Sequence, residues 1–309
     1  LELFVGKTRI VSLVEQTIAG LEMLIKEANP ESLDAIDWLK PHYVNEQHEC
    51  TGLIQSFVID TGKQTIVVDT CVGDDRERPY EPSWHRQQRG FLNTFIAQGF
   101  DPKTVDLVLC THLHVDHVGW NTQRVDGKFV PTFPNARYLF ERREFEHWQS
   151  LAATTEPEPA ADESRKDAAL RNFRETQRLT WADSVQPIVD AGLIELVDVT
   201  TELNIADGVA LVSTPGHTIG HVSVRVSDGD DQVVISGDCV HHPCQIAHPP
   251  WRTLVDHDPV QAGQTRHALF TEMVDSGARL VGSHFSEPCC GHLQRDGDGF
   301  RFLPEHVES

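Results

Sequence analysis

The 309-residue chain has no apolar run approaching the ~20 residues that cross a bilayer, so a helical membrane span is not expected. It is also short of positive charge: 26 Lys and Arg stand against 47 Asp and Glu, a formal charge of −21. Such a field repels phosphate backbones and anionic lipid surfaces, which argues against nucleic acid and membranes as partners. Most of that charge reads as solubility. Seven cysteines, an odd number in a long chain, do not suit a disulfide framework. Cys71, Cys110 and Cys239 sit in apolar, strand-like runs and read as small buried hydrophobes. The vicinal pair Cys289-Cys290 reads as packing in a turn, ahead of a soft metal site or a redox switch. No G-x-S-x-G run supplies a serine nucleophile. No Gly/Ser linker or short-period repeat divides the chain, so one domain over residues 1–309 is expected. The cytoplasm is the default compartment. The chain begins at Leu1 and not Met, so a cleaved signal peptide and a periplasmic location stay open.

What is present is ordinary globular composition, 39% hydrophobic, arranged as strands interleaved with helices. Residues 12–40 read as helical segments interrupted at Asn29-Pro30, making a helical extension over about residues 1–50. "LIQSFVID" and "QTIVVD" flank Thr61-Gly62-Lys63 as a hairpin. "VDLVLC", "ARYLF", "LIELVDV", "VALVS", "HVSVRV", "QVVIS" and "ARLVG" are further β-branched runs. Helical patterns fall in "GFLNTFIAQG", "ERREFEHWQSL", residues 165–180 and "DPVQAGQTRHALFTEMVDSG". The alternation predicts an α/β fold. The Pro-, Ala- and acid-rich stretch at about 153–164 reads as a solvated loop insertion.

The densest chemistry lies in "THLHVDHVGWN", residues 111–121, where His112, His114, Asp116 and His117 follow an apolar strand. Period-two spacing puts His112 and His114 on one face of extended backbone. Crowded imidazoles gain little from one another and much from a cation, and N/O donors suit zinc or a similar ion. The remaining donors should also follow apolar strands ending near one rim. "ALVSTPGH" delivers His217, "VVISGD" delivers Asp238 and "RLVGSH" delivers His284.

With "VDT" at Asp69, "THLHVDH", "TPGHTIGH", "SGD" and "GSHF", the chain resembles the metallo-β-lactamase superfamily, most closely its methyl parathion hydrolase and lactonase-like branch. The resemblance implies an αββα sandwich of two mixed β-sheets flanked by helices. It implies a first metal on His112, His114 and His217, a second on Asp116, His117 and His284, and Asp238 bridging both. Two zinc ions per chain are expected, with Fe, Mn or Co as alternatives. Asp69 would orient a ligand imidazole, and His221 would support the site without ligating. True lactamases carry Cys or Ser where this chain has Asp238, and flavodiiron proteins carry Glu where it has His114.

The implied reaction is hydrolysis by hydroxide generated at the metals, with Asp238 and Asp116 as the catalytic carboxylates. The substrate is expected to be a small, neutral, aromatic ester, lactone or phosphotriester, because Trp84, Trp120, Trp251 and Phe285 lie in loops beside the ligand motifs. His241 and His242, just past Asp238, are the polar candidates for that pocket. Lactonases of this kind use a tyrosine near the metals, and only Tyr43, Tyr80 and Tyr138 are present, none in the second half, which argues against acyl-homoserine lactones. Hydrolytic dehalogenation of an activated haloaromatic is one alternative. A non-catalytic or redox di-metal protein is another. The expected partner is a small-molecule substrate, and assembly as a homodimer stays open.

Overall fold

The computed structural model describes residues 1–154 and 164–305; of the acidic insertion, residues 155–163 lie outside it. The strands fall into two seven-stranded mixed sheets and a two-stranded ribbon. The chain divides into two compact units, Ile66–Val197 and the remainder, Leu1–Thr65 with Asp198–Ser309.

In the discontinuous unit, Glu2–Val5, Thr8–Ala19 and Thr51–Asp60 pair antiparallel in that order. A helix was expected over residues 12–40, and the structure corrects this. In Thr8–Ala19 the buried positions Val11, Leu13 and Glu15 alternate, with a bulge between Val14 and Gln16. Pairing with Thr51–Asp60 outweighs a local pattern in which Leu13, Val14, Ile18 and Leu21 also fit helical spacing. Asn29-Pro30 starts a helix where an interruption was expected: the Asn29 side chain accepts from Ser32 N, capping the short helix Pro30–Asp34.

The second half of this unit is a seven-stranded sheet of Glu202–Ala206, Val209–Ser213, Val222–Asp228, Asp231–Ile235, Arg279–Val281, Cys290–Asp296 and Gly299–Pro304 in sequence order. Only Asp231–Ile235 and Arg279–Val281 run parallel, and a parallel pair needs a long crossover. Helix Pro259–Ser276 lies within that crossover. The Asp258 side chain caps its start, accepting from Val260 N and Gln261 N, and Gly277 ends it in the left-handed region. Ala262, Leu269, Phe270 and Met273 form its buried stripe, and Arg266 lies in the middle of that stripe.

In the continuous unit, Thr65–Val68, Leu107–Leu109, Arg137–Glu141 and Ile194–Val197 pair in parallel. The first two are near-continuous apolar runs, as strands covered on both faces require. Helices Phe91–Ala97, Arg142–Ala152 and Arg165–Thr180 belong to this unit, the last running into a π-helical turn at Trp181–Val185. That turn presents Asp183, whose carboxylate takes a two-point contact from Arg78 at 2.7 and 3.0 Å, while its carbonyl accepts from Arg76 at 3.1 Å. Both arginines are fully buried, so the long segment after Asp69 is stapled to the unit's interior.

Candidate metal centre

In the continuous unit the donors follow the carboxyl end of Leu107–Leu109 in a chain of turns over residues 111–121. The ring of His112 lies 4.6 Å from that of His114 and 4.1 Å from that of His117. Asp116 is beside them, Oδ1 at 3.7 Å from His117 Nε2. The loop holds this shape because side chains satisfy its backbone. Gln177 accepts from Val115 N at 3.1 Å and donates to Leu113 O at 3.2 Å, and Glu144 accepts from Leu113 N at 3.1 Å. His114 packs against Trp148 and Phe173, 5.4 and 5.6 Å between centroids.

Asp69 lies against the His117 ring. It sits at the end of Thr65–Val68 with φ +54°, a left-handed conformation that Asp tolerates better than most residues. There its carboxylate accepts from His117 Nδ1 at 2.9 Å, from Thr111 N at 2.7 Å and from Thr111 Oγ1 at 2.9 Å.

In the other unit, Asp238 follows strand Asp231–Ile235 and takes three imidazoles. His284 Nε2 is 3.0 Å from Oδ1, and His241 Nε2 and His217 Nε2 are 3.2 and 3.4 Å from Oδ2. His217 donates Nδ1–H to Asp256 at 3.0 Å, and His284 donates Nδ1–H to Leu53 O at 2.8 Å. Burial acts to raise the Asp256 carboxyl, but the hydrogen bonds from His217 and Thr253, in an environment lined by imidazoles, outweigh it and hold it well below the usual range. Burial pushes the His241 ring down, keeping it neutral. His221 has both ring nitrogens engaged: Nδ1 pairs with Thr214 Oγ1 at 2.8 Å and Nε2 accepts the Asp238 N–H at 2.8 Å.

These contacts test whether a cation fits. Carboxylates and carbonyls only accept, so they fix the proton of His117, His217 and His284 on Nδ1. A neutral ring then carries a lone pair on Nε2. In His217 and His284 that lone pair faces the Asp238 carboxylate at 3.0–3.4 Å, and in His117 it faces Asp116 at 3.7 Å. Electron-rich atoms held this close repel one another unless a proton or cation stands between them. The donors, imidazole nitrogen and carboxylate oxygen, fit zinc, and equally iron, manganese or cobalt.

The expected aromatic pocket is corrected in part. Phe285 is fully buried, its ring against Tyr43 and Phe302 at 6.3 and 5.6 Å, so it belongs to the core. His242 is also spent inside: Nε2 pairs with Tyr43 O and Nδ1 accepts from Cys244 N. Trp120 is buried and stacks on Phe91 at 5.5 Å. Trp84 is half-buried, as is Trp251, which stacks on His248 at 4.5 Å. Tyr138 and Tyr43 donate their hydroxyls to Asn121 O and Pro288 O. Sequence reasoning missed Asp256, Glu144 and Gln177. Asp256 lies in "DHDPV", where the Asp-Pro step signals a helix start at Asp258 and nothing marks its neighbour.

The sequence model of the metallo-beta-lactamase superfamily matches residues 51–284. The chain belongs to that superfamily. The solved structure of hydrolase AbOPH in this superfamily is 25% identical, with TM-score 0.78 over 100% of this chain and 98% of that one. AidC, a dizinc quorum-quenching lactonase, is 21% identical with TM-score 0.76 and the same coverage, a likeness of fold. An N-acyl homoserine lactonase, AttM, of Azorhizobium caulinodans is 29% identical over 142 residues, 46% of this chain and 43% of that protein. The match thus spans less than half the length of this curated relative. The metallo-β-lactamase fold, two mixed β-sheets flanked by helices, is confirmed.

Proposed function

We propose that the protein is a divalent-metal-dependent hydrolase of small neutral esters, among them lactones and aryl phosphotriesters. His112, His114, His217 and Asp238 would form one donor set and Asp116, His117 and His284 the other. The observation that carries this reading is the Asp238 carboxylate facing Nε2 of His217 and His284, both with Nδ1 engaged elsewhere. When bound, the ions would supply Lewis acidity and a water acidified from 15.7 toward ~7. We take zinc as the ion, with iron, manganese or cobalt as alternatives that the same donors accept.

The chain's own groups would do the rest. Asp238 would hold a proton at Oδ1 or Oδ2 and return it to the leaving group, so no covalent intermediate on the protein is needed. His241, neutral and against Asp238, would orient the substrate's polar end. Trp84 and Trp251, half-buried, would flank its apolar part. The AttM and AidC likenesses support a lactone among the substrates. Against a long acyl-homoserine lactone stands the commitment of the Tyr43 and Tyr138 hydroxyls to backbone carbonyls.

The test is metal analysis followed by kcat/KM over neutral aryl esters, short lactones, aryl phosphotriesters, a phosphodiester and a long-chain acyl-homoserine lactone. We expect two ions per chain and preference for the neutral aryl substrates. Preference for the phosphodiester or the long-chain lactone would overturn the substrate class. No turnover with any metal-loaded sample would overturn the enzyme.

A further inference from the structure

Helix Pro259–Ser276 touches the two segments of its own unit that carry His217 and Asp238, and also residues 249–251. Thr265 donates its hydroxyl to Pro215 O at 2.7 Å, beside the His217 loop. In that loop Gly216 has φ +134°, and a Cβ there would lie 2.3 Å from Ala262 N, so the approach is open to glycine alone. Gly263 lets residues 249–250 in, a Cβ there coming within 3.3 Å of Pro250 Cα.

At the centre of this face lies Arg266, fully buried. Its Nε donates to Cys239 O at 2.7 Å, and its Nη1 donates to Pro249 O and Trp251 O at 2.6 and 2.7 Å. Among the described residues no carboxylate makes a direct ion pair with it, although the Asp256 charge acts on it through space, and Nη2 has no hydrogen-bond partner. A buried guanidinium without a direct ion pair is costly, and an apolar residue would pack with Leu269 and Phe270 without that cost. Its directed donors are what an apolar residue cannot supply: three carbonyls on two loops, reached by one planar fork.

We infer that Arg266 is a positioning residue of the metal centre. It fixes the Cys239 carbonyl and so the adjoining Asp238 carboxylate, and it fixes the 249–251 segment leading to Asp256, which holds His217. This rests on the proposal that Asp238 and His217 are metal ligands. Lysine would keep the charge, but its single ammonium does not span the three acceptors. Arg266 therefore acts on metal binding through the two carboxylates, in addition to any effect on stability.

The experiment compares full-length R266K and R266Q with F270L, a core change on the same helix with no loop carbonyl in reach. Each protein is stripped with a chelator. Imidazole N–H NMR then reads the His217 Nδ1 proton, assigned by its loss in H217Q, and cobalt(II) titration reads affinity. We expect F270L to melt earlier yet keep the resonance and its cobalt affinity. We expect both Arg266 variants to lose the resonance and bind cobalt at least about tenfold more weakly. Should R266Q fail to fold, R266K carries the comparison. Retention of resonance and affinity in a folded Arg266 variant, or equal loss of both in F270L, would overturn the inference. Wild-type protein that binds no cobalt would sink the metal reading, and the resonance in the stripped proteins would still decide for Arg266.

Discussion

Asp256 accepts the Nδ1 proton of His217 at 3.0 Å from a side chain with no exposed surface. This bond sets which ring nitrogen carries a lone pair and where it points. It is the contact in this unit with the clearest expected consequence, because a flipped or tautomerised His217 no longer presents an Nε2 lone pair beside Asp238.

Removing that carboxylate should therefore cost metal before it costs fold. For D256A we expect divalent-ion affinity to fall about 10- to 100-fold, with D256N between it and the parent. Chelator competition followed by elemental analysis measures this. Unchanged affinity in D256A would detach Asp256 from the centre.

Asp238 and His221 should separate cleanly. D238A is expected to abolish turnover and lower metal content. H221A leaves the Asp238 N–H without its acceptor, a loss of about 1–3 kcal/mol in stability, but keeps a populated metal site. Elemental analysis and thermal melts on both variants decide this. Metal loss in H221A alone would invert the assignment.

Asp69 should behave as the counterpart of Asp256 in the continuous unit. D69N tolerates the left-handed backbone and still accepts hydrogen bonds, so the fold should hold while affinity for one ion of two drops. D69A should be worse on both counts, because the buried Thr111 N–H then has no acceptor. Stoichiometry during metal titration reads the difference.

The Arg78–Asp183 pair should matter to folding more than to chemistry. R78M leaves a buried carboxylate without its two-point partner, a loss of about 3–5 kcal/mol. The melting temperature should fall by on the order of 10 °C. A melt within a few degrees of the parent would show that the staple is dispensable.

All seven thiols are unbridged and buried. Burial pushes the Cys239 thiol up to about 12 and Cys110 well above its ordinary value, whereas the hydrogen bond with Cys244 brings Cys50 down to about 6 and leaves burial alone to protect it. A thiol reagent at neutral pH should label the native protein slowly and reach all seven cysteines only after denaturation. Fast labelling of several native thiols would contradict this packing.

The legible parts of this molecule were those where local pattern and tertiary role agree. Runs such as "VDLVLC" and "QVVIS" are buried strands, and the donor residues follow their ends, so strand and site were read together. Thr8–Ala19 was misread because its apolar residues satisfy both periods, and only its partner Thr51–Asp60 selects one. Phe285 was placed in a pocket because it adjoins His284, yet the backbone turns its ring toward Tyr43 and Phe302. Asp256, Gln177 and Arg266 carry no local signal. Their roles exist only once segments distant in sequence meet.

The division of the chain also sets an order of assembly on the ribosome. The continuous unit, Ile66–Val197, is synthesised whole before Asp198 emerges, while the other unit, begun with Leu1–Thr65, is completed only from Asp198 onward. His112, His114, Asp116 and His117 therefore sit in a segment that can collapse early. His217, Asp238 and His284 belong to a unit whose last sheet strands come at the end of translation. A nascent chain stalled before residue 198 already carries four of the seven proposed donors, so on our proposal a divalent ion would find ligands before His217, Asp238 and His284 have been made.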